Sequence, residues 1–168
     1  MRKFVDQYKE NKRMAEELHL TGNNKNEKYA SLLPQLQALT AGTSDQIANM
    51  ANLSAALKES FDFLWVGFYR VIKDTLLLGP FQGPIACLNI AKGQGVCGTA
   101  WLKEKTIIVP DVADFPGHIA CSSASRSEIV VPLFCEGKVF AVLDIDSTST
   151  KTFDAIDAYY LELIVNLV

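Results

Sequence analysis

No apolar run in the chain is longer than about seven residues, Phe63 to Tyr69 and Ile129 to Cys135 being the longest, against the ~18 that a membrane-spanning helix requires. The amino terminus, MRKFVDQYKENKRM, has no apolar core segment, so neither a secretory signal nor a lipid anchor is read there. No basic run extends beyond Lys12-Arg13, and 16 Lys plus Arg against 19 Asp plus Glu give a net charge of -3, which leaves no electrostatic footprint for nucleic acid. Cysteine is scarce. The four, at 87, 97, 121 and 135, include no Cys-x-x-Cys pair, which excludes a thioredoxin-like motif and a zinc ribbon. Gly93-Gln-Gly95 lacks both the Lys of a P-loop and the third Gly of a dinucleotide fingerprint, so nucleotide phosphate binding has little support. These absences leave a cytoplasmic protein with thiols at rest and a small ligand as its partner. Its 168 residues, 49% of them apolar, suffice for one domain with a sizeable core.

Residues 1–26 are polar, with Phe4, Tyr8, Ala15 and Leu18 as a sparse helical stripe, and read as an N-terminal helical extension to a domain of residues 27–168. From Glu27 the tighter spacing of Tyr29, Leu32, Leu33, Leu36 and Leu39 predicts a helix that Pro34 kinks or opens and Gly42 ends. Ser44 is the expected cap of a second helix with Ile47, Met50, Ala51, Leu57 and Phe61 on one face. The period then changes to that of strands: a hairpin of Phe63 to Val71 and Thr75 to Leu78, a strand over Ile85 to Ile90, and another over Thr106 to Val109. A short helix fits after Gly93-Gln-Gly95. Asp111 to Ser127 is a loop longer than a passive connection needs. Glu128 to Cys135 and Lys138 to Ile145 form a hairpin around Glu136-Gly137, and Phe153, Ile156, Tyr159, Tyr160, Leu163, Ile164 and Leu167 mark a final amphipathic helix. This order is not the regular alternation of a doubly wound sheet and predicts an α+β fold, an antiparallel sheet with helices packed on one side.

Each cysteine alone reads as a small buried hydrophobe, and Cys135 keeps that reading. Cys97 sits at a helix start, where free N–H groups favour a thiolate, or else allows close backbone packing. Cys121 lies in the long loop near His118 and Arg126, either as a low-pKa nucleophile or as a thiol with no role; Cys87 is a resolving partner or core. Asp144 and Asp146, two apart on a strand, continue the face of Phe140 and Val142, and close like charges raise one pKa, so such a pair can hold one proton while binding a cation; a solvated strand end is the alternative. A strict two-residue turn would pair Glu128 with Ile145 and turn it from both aspartates, so a bulge at Pro132 is expected to restore the shared face. Trp65 and Tyr69, with Gly67 between them, share a strand face and form a pocket wall or simply core. Leu78 to Pro84 is a turn-rich crossing placed to cover such a pocket.

Trp65-Val-Gly-Phe-Tyr69, Leu78-Gly-Pro-Phe-Gln-Gly83, Ala86-Cys87, Gly95-Val-Cys-Gly-Thr-Ala100, Gly117-His-Ile-Ala-Cys121, Ser127-Glu-Ile-Val130 and Val142-Leu-Asp-Ile-Asp-Ser147, in this order, resemble the free methionine-(R)-sulfoxide reductases, stand-alone GAF domains. The resemblance implies a GAF-like sheet and reduction of free methionine (R)-sulfoxide. It implies that Cys121 attacks the sulfoxide sulfur and becomes a sulfenic acid, that Cys87 resolves it as a disulfide, and that Cys97 is a third, relaying or substituting, cysteine. Glu128, Asp144 and Asp146 then hold the substrate ammonium and protonate the oxygen, with Trp65 and Tyr69 around the methyl sulfoxide. No bound cofactor is implied; an external dithiol such as thioredoxin recycles the enzyme, as a homodimer. The sequence departs from the family at Ser122, where an acidic residue is expected. Two other classes compete: a non-catalytic GAF sensor using the same pocket, and a metal site of Cys87, Cys97, His118 and Cys121, whose spacing matches no local metal pattern.

Overall fold

The computed structural model describes residues 17–119 and 121–168. The expected helical stripe of Phe4, Tyr8 and Ala15 lies outside the described residues, and Leu18, within them, is not helical. Asn24 caps the first helix, α1 (Lys25–Thr40), its side chain accepting from Glu27 N at 2.9 Å. Pro34 sits neither at the start nor at a break but well inside this helix, where burial of Leu32 and Leu36 on either side carries the helix past the missing N–H. Helix α2 (Gln46–Ser60) is capped by Asp45 rather than Ser44, the carboxylate accepting from Ala48 N. Its buried face is Met50, Leu53, Ala56 and Leu57; Ile47, expected inside, is 44% exposed, and Ala51 also faces out.

The sheet comprises β1 (Trp65–Ile72), β2 (Thr75–Gln82), β3 (Asn89–Ala91), β4 (Ile107–Val109), β5 (Ser127–Cys135) and β6 (Lys138–Ser147), in the antiparallel order β3-β2-β1-β6-β5-β4. Helix α3 (Gly95–Lys103) lies between β3 and β4, and α4 (Ala155–Ile164) closes the chain. One sheet face, with Val66, Phe68, Ile129, Val131, Leu143 and Ile145, buries against α1, α2 and α4. This is the α+β arrangement expected, with the three longer helices on one side. The opposite face carries Trp65, Tyr69, Val130 and Val142 under the short α3. At Gly98 an added methyl would strike the Ala91 carbonyl, so glycine is what lets α3 approach β3 closely.

Several local expectations shift. β2 runs on through Gly79-Pro80 to Gln82, absorbing the proline at a register shift opposite Phe68, so Leu78 to Gln82 is strand and not a cover. The third strand is only Asn89–Ala91, because the carbonyls of Pro84 and Cys87 are taken by Trp65 Nε1 (3.1 Å) and the Tyr69 hydroxyl (3.0 Å), which hold the segment before it over the sheet face. The bulge in the β5–β6 hairpin exists but lies in the other strand. Leu133 pairs with Ala141 and Phe134 with Val139, which leaves Phe140 as the extra residue. Phe140 thereby turns to the helix-covered core, and it is Val139 that shares the other face with Val142. Cys135, expected inside, is exposed at the end of β5. Among the described residues no helix is long and apolar enough to cross a membrane.

Candidate active site

Three antiparallel strands set the site out in rows. Trp65 of β1, Asp146 of β6 and Glu128 of β5 are successive cross-strand partners, and the next row is Gly67, Asp144 and Val130. The extra residue at Phe140 makes this alignment, so Glu128 does share a face with both aspartates. Trp65 and Tyr69 stack with ring centroids 5.9 Å apart, and Phe81 backs the indole at 5.4 Å. A side chain at Gly67 would collide with both Trp65 and Phe81, so glycine is required for this wall. Over it lies a cavity of about 540 Å³ including its mouth, floored by Glu128, Asp144 and Asp146 and covered by segments around Ile85 and Ile119.

The long loop brings Cys121 to the mouth. Its ends are fixed by Val112 N to Arg126 O (3.0 Å) and Arg126 N to Ser147 O (2.8 Å). Three residues before Cys121, His118 Nε2 stands 3.5 Å from Glu128 Oε2; four residues after it, the Ser125 hydroxyl donates to Asp146 Oδ1. Cys121 and Cys87, 34 residues apart, are joined in a disulfide with Cα atoms 5.5 Å apart. That bond takes two sulfurs from the four-ligand set of Cys87, Cys97, His118 and Cys121.

Cys97 is a free, buried thiol at the start of α3, as placed from sequence. Burial pushes its pKa well up and the charges of Asp144 and Glu128 push it further, so desolvation outweighs the helix-start effect and the thiol stays protonated. The acids are displaced the same way. Burial and the nearby Asp146 charge push Glu128 up to about 8. Asp144 is raised well above its ordinary value by burial and by Glu128 and Asp146. Asp146 is raised less, because the Ser125 hydrogen bond and His118 offset part of its burial. Such a cluster holds protons at neutral pH and offers them to an oxygen above it, and binds a cation readily. Asp144 Oδ1, shut off from solvent, has no hydrogen-bond partner among the described residues.

All eight side chains to which the family resemblance assigns a role line this pocket or form the disulfide at its mouth, whereas Arg126 and Cys135 lie outside the lining. Sequence reasoning missed Ser125, Gln94, Ile85, Ile90 and Ile119, which also line it. Gln94 lay inside the glycine motif already noted, whereas nothing local marks Ser125, whose partner is 21 residues away.

The GAF domain model matches residues 49–168. GAF domain-containing protein A of Dictyostelium discoideum is 58% identical over 92% of this chain and 98% of its own. The free methionine-R-sulfoxide reductase of Escherichia coli is 48% identical over 84% and 87%. Among solved structures, the free methionine-R-sulfoxide reductase of Neisseria meningitidis in complex with its substrate is similar with a TM-score of 0.89 at 49% identity, covering 92% of this chain and 93% of that one.

Proposed function

The chain belongs to the free methionine-R-sulfoxide reductase family of GAF domain proteins, and we propose that it reduces free methionine (R)-sulfoxide through the Cys121 and Cys87 pair, residues 27–168 being the catalytic unit. The observation that carries this reading is the Cys87–Cys121 disulfide at the mouth of a pocket floored by three carboxyl groups.

In the forward reaction the Cys121 thiolate attacks the sulfoxide sulfur while a neutral carboxyl of the Glu128, Asp144 and Asp146 cluster protonates the oxygen. The hydroxyl then passes to the Cys121 sulfur as the new sulfur–sulfur bond and the sulfur–oxygen bond of the substrate both break, so that methionine leaves and Cys121 is left as a sulfenic acid. The Cys87 thiol then attacks that sulfur, water departs, and the disulfide closes. An external dithiol gives up two hydrogens, becomes a disulfide itself and restores both thiols. A thioredoxin-type protein in the cytoplasm suits this step. The substrate ammonium lies against the acidic floor of Glu128, Asp144 and Asp146, and the methyl sulfoxide packs on Trp65 and Tyr69. Cys97 keeps its thiol neutral beside Asp144. The exposed apolar side chains of α4, Ile156, Tyr159 and Leu163, offer the interface of a homodimer.

Incubation of the purified protein with dithiothreitol and free methionine sulfoxide, the epimers separated by chromatography, tests the reading. Selective loss of the R epimer, absent in Cys121→Ser, is the expected result. Loss of neither epimer would return the chain to the sensor reading.

A further inference from the structure

Cys97, Glu128 and Asp144 come from three elements, α3, β5 and β6, and the sulfur and one carboxyl oxygen of each acid all lie within 4.8 Å of one another. All three side chains are buried, Asp144 to 7% exposure. Independently, Asp144 Oδ1 is sealed from solvent and has no hydrogen-bond partner among the described residues, and a bound ion is one of the few ways in which a buried acceptor left unpaired is satisfied. The substrate ammonium supplies one cation. The donor set also suits another.

One sulfur and two carboxyl oxygens match Zn²⁺, with bonds of about 2.3 Å to sulfur and about 2.0–2.2 Å to oxygen, and do not match Mg²⁺ or Ca²⁺, which take oxygen alone. Ligands on one zinc ion stand roughly 3.5 Å apart, so side-chain rotations of about an ångström close the cluster around an ion. Three protein ligands then leave a fourth position open toward the pocket.

We propose that the pocket floor is an inhibitory zinc site, in which one Zn²⁺ binds Cys97 Sγ, Glu128 and Asp144 and excludes the substrate ammonium. The ion replaces protons on these groups, and no electrons move. Binding stands on the geometry, while its inhibitory consequence rests on the reductase reading above.

Full-length protein in its disulfide form, in which Cys87 and Cys121 are not thiols, carries Cys135→Ser to remove the exposed thiol and is titrated with Zn²⁺ by calorimetry. One ion per chain is expected, with affinity falling at least ~100-fold in both Cys97→Ser and Asp144→Asn. Circular dichroism and thermal melts confirm that these near-isosteric variants are folded. Absence of saturable binding in the parent, or unchanged affinity in either variant, overturns the site. Free methionine (R)-sulfoxide is expected to displace the bound ion beyond what glycine does at matched zinc-chelating strength; equal displacement overturns the exclusion. A failed zinc titration leaves dithiol-supported turnover of the sulfoxide intact, whereas loss of that turnover with zinc binding intact overturns the reductase reading alone.

Discussion

Glu128 and Asp146 stand directly opposite one another across the β5–β6 ladder because β6 contains one residue more than its partner, Phe140. Without that residue Glu128 would face Ile145, whose side chain belongs to the helix-covered core. One bulge therefore decides whether the pocket has two acids or three. Three close carboxyl groups cannot all be charged, which is why protons are retained there near neutral pH.

If those protons go to the sulfoxide oxygen, Asp144→Asn and Asp146→Asn lose turnover before they lose folding. Each is expected to lower kcat with free methionine (R)-sulfoxide by about 10²-fold, within the usual range for a general acid. Steady-state assays under dithiothreitol read this directly. Full activity in both variants removes the acidic pair from the mechanism.

Glu128 also gives the sign of a pH effect on stability. Its carboxyl is pushed up to about 8 in the fold from an ordinary 4.5, so the native state holds a proton that the unfolded chain has released. Its contribution is fully present below about 4.5 and is lost as pH rises through about 8. Glu128→Gln, which cannot ionise, is expected to gain Tm over the parent chain, and to gain more at pH 9 than at pH 5. Thermal melts of the disulfide form across that window decide it, and a gain that does not grow with pH is the contrary outcome.

The cysteines divide into roles that single substitutions separate. Cys121→Ser is expected to abolish reduction. Cys87→Ser is expected to release one methionine per chain and then stall, with a sulfenic acid at Cys121 that dimedone captures and mass spectrometry locates. Cys135→Ser is expected to turn over normally, since Cys135 lies exposed at the far end of β5 and outside the pocket. A second methionine per chain from Cys87→Ser at an undiminished rate would point to another resolving thiol.

The sequence was legible wherever one face of one element carried the information. Asp144 with Asp146, and Trp65 with Tyr69, are two or four apart on a strand, so their shared face followed from the two-residue period. Cys87, Cys97 and Cys121 were placed together by family resemblance, since nothing in their spacing pairs them. What stayed hidden were decisions made between elements. Phe140, rather than Pro132, carries the bulge, and Cys97 is governed by burial against Asp144 more than by its helix start. Asp45 displaced Ser44 as a cap by one residue, a choice that local composition does not settle.

A clamp far from the pocket was also illegible. Lys25 Nζ bonds Asp157 at 2.5 Å and Asp154 at 2.9 Å, and Tyr29 donates to the other oxygen of Asp157 at 3.0 Å, tying the starts of α1 and α4 together. Asp157 is 1% exposed. Removing its cation leaves a buried carboxylate poorly compensated, so Lys25→Met is expected to cost about 3 kcal/mol in urea unfolding. A loss below about 0.5 kcal/mol would class the contact with ordinary surface pairs.

Ser125 ties the loop of Cys121 to the acid row through its hydrogen bond to Asp146. It lines the pocket and, through this bond, holds Asp146 and the loop in place. The hydroxyl favours the ionised form of Asp146 against the opposing effect of burial, so Ser125→Ala should raise that carboxyl further and move the pH profile of turnover upward. A fall in kcat of roughly 10-fold is expected with it, from the range for loss of one charge-assisted hydrogen bond. Ser125→Thr keeps the hydroxyl and should recover both the rate and the profile. A rate loss in Ser125→Ala with an unmoved profile, unrecovered by threonine, would mean that the loop needs only the small volume of serine and not its bond to Asp146.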